Sequence, residues 1–175
     1  EGVYGVKTGF TGNAGRCLIT ACKRNDLDVI IVVLGADTKK IRGEDTKKII
    51  KYVFDTYKMV DTEKEILELF NNFKNTQKIK SLKSLSKIEI DFYERNNYTC
   101  PIDKNKITKL RTSIYCLNKL EAPIENNVTI GKMRLICDND ILYEIDIFLK
   151  KKIDRINWKD YLNIFVKKYI TFYSI

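Results

Sequence analysis

Residues 2–36 read GVYGVKTGFTGNAGRCLITACKRNDLDVIIVVLGA, and their pattern decides the fold of the first part of the chain. From Gly2 to Phe10, small or polar residues alternate with apolar ones between glycines, which predicts a strand. A second strand is expected over 16–23 and a third over 28–35. The link between them, Arg24-Asn25-Asp26-Leu27, is short and polar, as an antiparallel hairpin requires. The run Val29 to Leu34 has no polar alternation, so this strand is expected to be covered on both faces.

Working outward, the period changes after the third strand. Ile49, Ile50, Val53, Phe54 and Tyr57 fall on one stripe of a helix expected over 42–57, with Glu44 and Asp45 in its first turn. A second helix is expected over 62–75. Thr62 and Glu65 have capping-box spacing, and Ile66, Leu69, Phe70 and Phe73 make its stripe. Residues 74–87 are polar and rich in Lys and Ser, which marks a linker or edge and the domain boundary. Short alternating segments at 87–93, 107–117, 132–137 and 142–149 then predict a small antiparallel sandwich. Trp158, Leu162, Phe165, Tyr169 and Phe172 form one face of a final helix flanked by Lys159, Lys167 and Lys168.

Composition narrows the chemistry. The 175 residues carry a net charge of +9 and contain no histidine, which removes Cys₂His₂ zinc fingers, Ser-His-Asp triads and any His general base. The five cysteines show no CxxC pair, so neither a disulfide framework nor a zinc site is expected, and the thiols read as small buried hydrophobes. No apolar run approaches the ~20 residues of a spanning helix. The charge and the aromatic residues permit nucleic-acid binding, but the lysines are dispersed and no RRM, KH or OB pattern appears.

What remains informative is Lys7-Thr8-Gly9 within the first strand. An ammonium and a hydroxyl at a strand edge offer a carboxylate one charge and one hydrogen bond. Gly9, without a Cβ, lets a substrate backbone come close. With GVKTGFTGNAGRCLITA, VIIVVLGA and IRGEDTKKII in this order, residues 2–54 resemble the low-molecular-mass penicillin-binding proteins, the serine-type D-alanyl-D-alanine carboxypeptidases. Leu120-Glu121-Ala122-Pro123-Ile124 and Val128-Thr129-Ile130-Gly131-Lys132 are similar to that family's β-rich C-terminal domain, and the last helix to its membrane-surface anchor.

The resemblance implies roles. Lys7 is the motif's catalytic-site lysine, and the backbone N–H of Phe10 is half of the oxyanion hole. Lys7, Thr8, Gly9 and Thr11 line the substrate, and Arg42 takes its terminal carboxylate, so Lys7 and Arg42 are expected to meet in one cationic corner beside Thr8. The family's Ser-x-x-Lys and Ser-x-Asn precede its KTG, and neither lies ahead of Lys7 here. Ser84-Leu85-Ser86-Lys87 and Tyr161-Leu162-Asn163 copy their spacing after it, in the polar linker and the last helix, where neither is expected to act.

The expected class is α+β: the C-terminal portion of a β-lactamase/transpeptidase-like domain at 1–58, a connecting helix and linker at 59–86, a small sandwich-like all-β domain at 87–152 and an amphipathic tail helix at 153–175. The implied activity is removal of the terminal D-Ala of peptidoglycan stem peptides through an acyl-enzyme, with β-lactams as inhibitors and no metal or cofactor. This stretch alone is expected to be inactive. The implied place is outside the cytoplasmic membrane, peripheral on its outer face and held to anionic lipid by the tail. The alternatives are a non-catalytic cell-wall or membrane-surface interaction segment and, less well supported, a nucleic-acid binder.

Overall fold

The computed structural model describes residues 1–172. Among them, eleven strands and three α-helices make an α+β chain, as expected. Its contacts divide it into two units: Glu1–Glu63 with Tyr98–Leu110, and Lys64–Asn97 with Arg111–Ile175.

In the first unit, β1 (Val3–Thr11), β2 (Gly15–Arg24) and β3 (Leu27–Ala36) form an antiparallel sheet in that order. Arg24 pairs with Leu27 across the expected hairpin, where Asn25 takes a left-handed φ of 51°. A three-residue loop joins β1 to β2, closed by left-handed Gly15 at φ 64°. A Cβ on Gly15 would stand 3.1 Å from the Gly35 Cα, so two glycines let the sheet bend where β3 bulges.

Helix α1 (Lys39–Thr56) covers one face of this sheet. Cys22, Ile31 and Ile50 are its buried centre, with Val29, Val33 and Phe54 packed around them. Thr38 caps the helix by accepting from the Ile41 N–H at 3.1 Å. That cap starts α1 three residues before the expected position, so its first turn holds no acid, and Glu44 and Asp45 fall beyond it. At the other end the Lys104 ammonium donates to the Phe54 and Asp55 carbonyls at 2.8 and 2.9 Å, satisfying exposed acceptors of the last turn.

The expectation that β3 is covered on both faces does not hold. Ile31 is 5% exposed, but Ile30, Val32 and Leu34 are 72%, 52% and 70% exposed. A helix lies on one side only, and side chains alternate along a strand, so every second apolar residue faces outward. The same unit contains an antiparallel pair the sequence did not suggest, β4 (Tyr57–Asp61) with β7 (Thr99–Asp103).

In the second unit, α2 (Glu63–Thr76) buries Ile66 and Phe70, and the Phe70 ring meets Phe92 edge-on at 4.7 Å. The polar stretch after it is not all linker, because β5 (Lys80–Leu82) runs parallel to β9 (Lys119–Glu121). The main sheet has the order β6 (Ile90–Phe92), β11 (Asp140–Leu149), β10 (Thr129–Cys137) and β8 (Leu110–Cys116). Met133, Leu135, Ile147 and Leu149 fill its core. A Cβ at Gly131 would stand 2.5 Å from the Tyr115 carbonyl oxygen, so the close backbone approach there admits only glycine.

Helix α3 (Trp158–Phe172) is capped reciprocally. Asn157 Oδ1 accepts from the Lys159 and Asp160 N–H groups, and Asp160 Oδ2 accepts from the Asn157 N–H. Trp158, Leu162, Phe165 and Tyr169 of the expected face are all exposed. The side chains of Lys168 and Phe172 lie outside the described residues. Among the described residues, no helix is long and apolar enough to cross a membrane.

Candidate functional site

The KTG tripeptide sits in the middle of β1, an edge strand that among the described residues pairs only with β2. Half of its backbone N–H and C=O groups therefore have no strand partner and can receive an extended peptide. Lys7, Thr8, Gly9, Phe10 and Thr11 are all exposed. Thr11 Oγ1 accepts from the Ala14 N–H at 3.0 Å and fixes the turn that ends the strand. The Arg16 guanidinium lies 4.8 Å from the centre of the Phe10 ring across the ladder. At the far end of β1, the Tyr4 hydroxyl donates to Asp28 Oδ1 at 2.9 Å, and this hydrogen bond to a carboxylate raises the Tyr4 pKa.

Register decides which way each side chain faces. Thr8 pairs with Leu18 and Leu18 with Val33, the row that faces α1. Lys7 pairs with Ile19 and Ile19 with Val32, the row on the uncovered face. Arg42 instead belongs to α1, and its Nη1 donates to the Cys17 carbonyl at 3.3 Å. Cys17 is the cross-strand partner of Gly9. The fold thus brings Arg42 to the Gly9–Cys17 pair, while Lys7 projects from the other face, and a single corner shared by Lys7 and Arg42 is not formed. A helix on one side of the sheet can reach a backbone carbonyl at its margin, but not a side chain on the opposite pleat.

Sequence reasoning missed Arg16. The buried Nε atoms of Arg16 and Arg42 have no hydrogen-bond partner, and among the described residues neither arginine forms an ion pair. The signal available was weak: an arginine directly after the glycine that closes a hairpin.

The Ser-x-x-Lys spacing at Ser84–Lys87 is occupied with structural work. Ser84 Oγ donates to the Asp154 carbonyl at 2.6 Å and accepts from the Ser86 N–H at 3.0 Å, so its proton is committed to a backbone oxygen. Asn163, which ends the Tyr-x-Asn triplet, is exposed on α3. None of the five cysteines is in a disulfide; Cys22, Cys100 and Cys137 are buried, and burial raises the pKa of Cys116. Among the described residues no group of three or more His, Cys, Asp or Glu side chains could hold a metal ion.

Two family models match the chain. One, described as D-alanyl-D-alanine carboxypeptidase, matches residues 1–38. The other, described as penicillin-binding protein 5, C-terminal domain, matches residues 54–155. The chain is 27% identical over 162 residues to D-alanyl-D-alanine carboxypeptidase DacF of Bacillus subtilis, covering 92% of this chain and 40% of the relative. It is 31% identical over 150 residues to DacA of Haemophilus influenzae, covering 82% and 33%. It therefore spans well under half the length of these curated relatives. Among solved structures, DacD of Francisella tularensis superposes with a TM-score of 0.59 at 20% identity, over 89% of this chain and 37% of that one. Penicillin-binding protein 5 of Haemophilus influenzae gives 0.57 at 18% identity, over 86% and 43%. These two likenesses establish the fold. The match to the C-terminal domain spans more than half of the sequence, and the chain belongs to the family of low-molecular-mass penicillin-binding proteins that carry it.

Proposed function

We propose that this chain supplies the KTG side of a serine-type D-Ala-D-Ala carboxypeptidase site. In that reading the stem peptide of peptidoglycan lies along the free edge of β1. Lys7 contributes positive charge, Thr8 a hydroxyl for a carboxylate, Gly9 close backbone approach, and Thr11 the end of the groove. The Phe10 N–H donates to the oxyanion that develops when a serine attacks the penultimate D-Ala carbonyl. Such a donor typically contributes ~3 kcal/mol to lowering the barrier. Arg42, expected at the terminal carboxylate, is left out of this reading, because its Nη1 donates to the Cys17 carbonyl and Lys7 projects from the other face of the sheet. β-Lactams present a carboxylate and a strained acyl group to the same elements. The single observation that carries the reading is the exposed KTG on an unpaired sheet edge.

The functional division we propose is residues 1–58 for the carboxypeptidase portion, 59–86 as the connection, 87–152 as the β-rich domain and 153–175 as the anchor. The exposed aromatic face of α3 supports attachment to anionic lipid on the outer face of the cytoplasmic membrane. No cofactor or nucleic acid enters this reading.

The test is labelled penicillin followed by intact-protein mass spectrometry. The chain alone should form no covalent adduct, because Ser84 is hydrogen-bonded away. Produced in frame with the sequence encoded ahead of Glu1, it should form a stoichiometric adduct that Lys7→Ala slows by about 100-fold or more. An adduct mapped to Ser84, or acylation insensitive to Lys7→Ala, would remove the proposal. Absence of any adduct in the longer protein, with binding to cell-wall sacculi retained, would favour the non-catalytic interaction role.

A further inference from the structure

Arg42 touches β2 at the one place where the ladder to β3 is interrupted beside the KTG glycine. β1 takes its position from β2, and β2 from β3, through cross-strand pairs. Arg16 pairs with Ala36 and Leu18 with Val33, and the register shift between them leaves, among the described residues, no residue of β3 opposite Cys17. On its other side Cys17 is the partner of Gly9. Arg42 Nη1 donates to the Cys17 carbonyl at 3.3 Å, so a contact from α1 stands in for the missing ladder pair.

The arginine is itself anchored. Its backbone N–H donates to the Thr38 carbonyl at 3.1 Å, and its carbonyl accepts from Thr46 Oγ1 at 2.8 Å. Thr46 is buried, and α1 is fixed to the sheet through Ile50, packed with Cys22 and Ile31. Directly after Gly9 comes Phe10, whose N–H is the oxyanion donor in the reading above. Such a donor lowers the barrier only when it is held at hydrogen-bond distance from the charge that develops, and a displacement of about 1 Å is costly.

We propose that Arg42 is a positioning residue: through the Cys17 carbonyl it fixes β2 beside Gly9 and thereby sets the Phe10 N–H for the oxyanion, without binding the carboxylate of the substrate. The proposal rests on the carboxypeptidase reading.

Two measurements test it. In the full chain by itself, Arg42→Met should move the amide NMR signals of Gly9 and Phe10 and leave those of Val3 and Tyr4, at the other end of β1, in place. In the longer protein of the penicillin experiment, the same substitution should lower the acylation rate constant at saturating β-lactam about 30-fold, while the apparent dissociation constant changes about threefold at most. The methyl ester of the same β-lactam, which lacks the carboxylate charge, should be slowed by the same factor. Arg42→Gln repeats the comparison should Arg42→Met not fold. Unmoved Gly9 and Phe10 signals, weaker binding with an unchanged acylation rate, or a loss seen with the acid and not with the ester would each overturn the proposal, the last by returning Arg42 to the carboxylate. These outcomes, in a protein whose unsubstituted form is acylated, leave the carboxypeptidase reading standing; an unsubstituted longer protein that forms no adduct removes that reading and the proposal with it.

Discussion

Ile30 and Ile31 are neighbours of identical chemistry, and alanine at each should have very different consequences. Ile31 is 5% exposed between β2 and α1, whereas Ile30 is 72% exposed on the open face. Ile→Ala removes about three methylene equivalents, each contributing ~0.8 kcal/mol when buried, and Ile31 leaves a cavity beside Cys22 and Ile50 that the packed helix only partly refills. Together these give about 3 kcal/mol. At Ile30 roughly a quarter of the same area is hidden, so the loss is about 0.7 kcal/mol. Both changes sacrifice the same β-propensity, which cancels in the difference. Urea titration followed by far-UV circular dichroism should show a midpoint drop of about 1–2 M for Ile31→Ala and a few tenths of a molar for Ile30→Ala, at the ordinary urea dependence of a small protein. Equal, large losses would refute the reasoning, since they would mean that the outer face of β3 is covered in solution. Repeating the titration at several protein concentrations identifies the cover, because self-association makes the Ile30→Ala loss grow with concentration.

Other outcomes follow from the same geometry. Ser84→Ala removes a hydroxyl that donates to the Asp154 carbonyl, so it should cost about 1 kcal/mol in stability by thermal unfolding while leaving penicillin labelling of the longer protein unchanged. Glu144 is held below the usual carboxylate range by hydrogen bonds from Lys132 and Arg134. A depressed folded-state pKa contributes stability that is present above the unfolded value of ~4.3 and lost as the pH falls through the folded one. Its side-chain NMR titration should therefore have a midpoint below that of Glu144 in the Lys132→Gln/Arg134→Gln protein, and coincident midpoints would contradict the assignment. Deleting residues 156–175 should abolish co-sedimentation with vesicles containing anionic lipid, and the intact chain should release with added salt; undiminished binding of the shortened chain would rule out the tail as anchor.

The elements that the sequence made legible are those whose information is local. The three strands of 2–36, the polar hairpin at Asn25-Asp26 and the three later helical stripes could be read because alternation, turn residues and 3.6-residue periods are written in consecutive residues. The helix start at Thr38 was misplaced because several residues before 42 could serve as caps, and only the backbone shows that Thr38 receives the Ile41 N–H. The pairs β4–β7 and β5–β9 were invisible for a different reason. These strands are five and three residues long, and each partner lies about forty residues away, so no local period announces them.

For the site, the KTG tripeptide, its glycines and Arg42 could be read in the chain, as could the absence of histidine chemistry. The sequence by itself determined the class, the family likeness and the residues to inspect, because composition and motif spacing are properties of the covalent chain. Only the tertiary structure decided that Lys7 and Arg42 approach from different faces, that Arg42 meets the Gly9–Cys17 pair, and that Ser84 serves a backbone carbonyl. Which face of a strand receives a helix is set by cross-strand register and packing. Those are relations between distant residues, and one turn of the pleat is enough to send two neighbouring side chains to opposite sides.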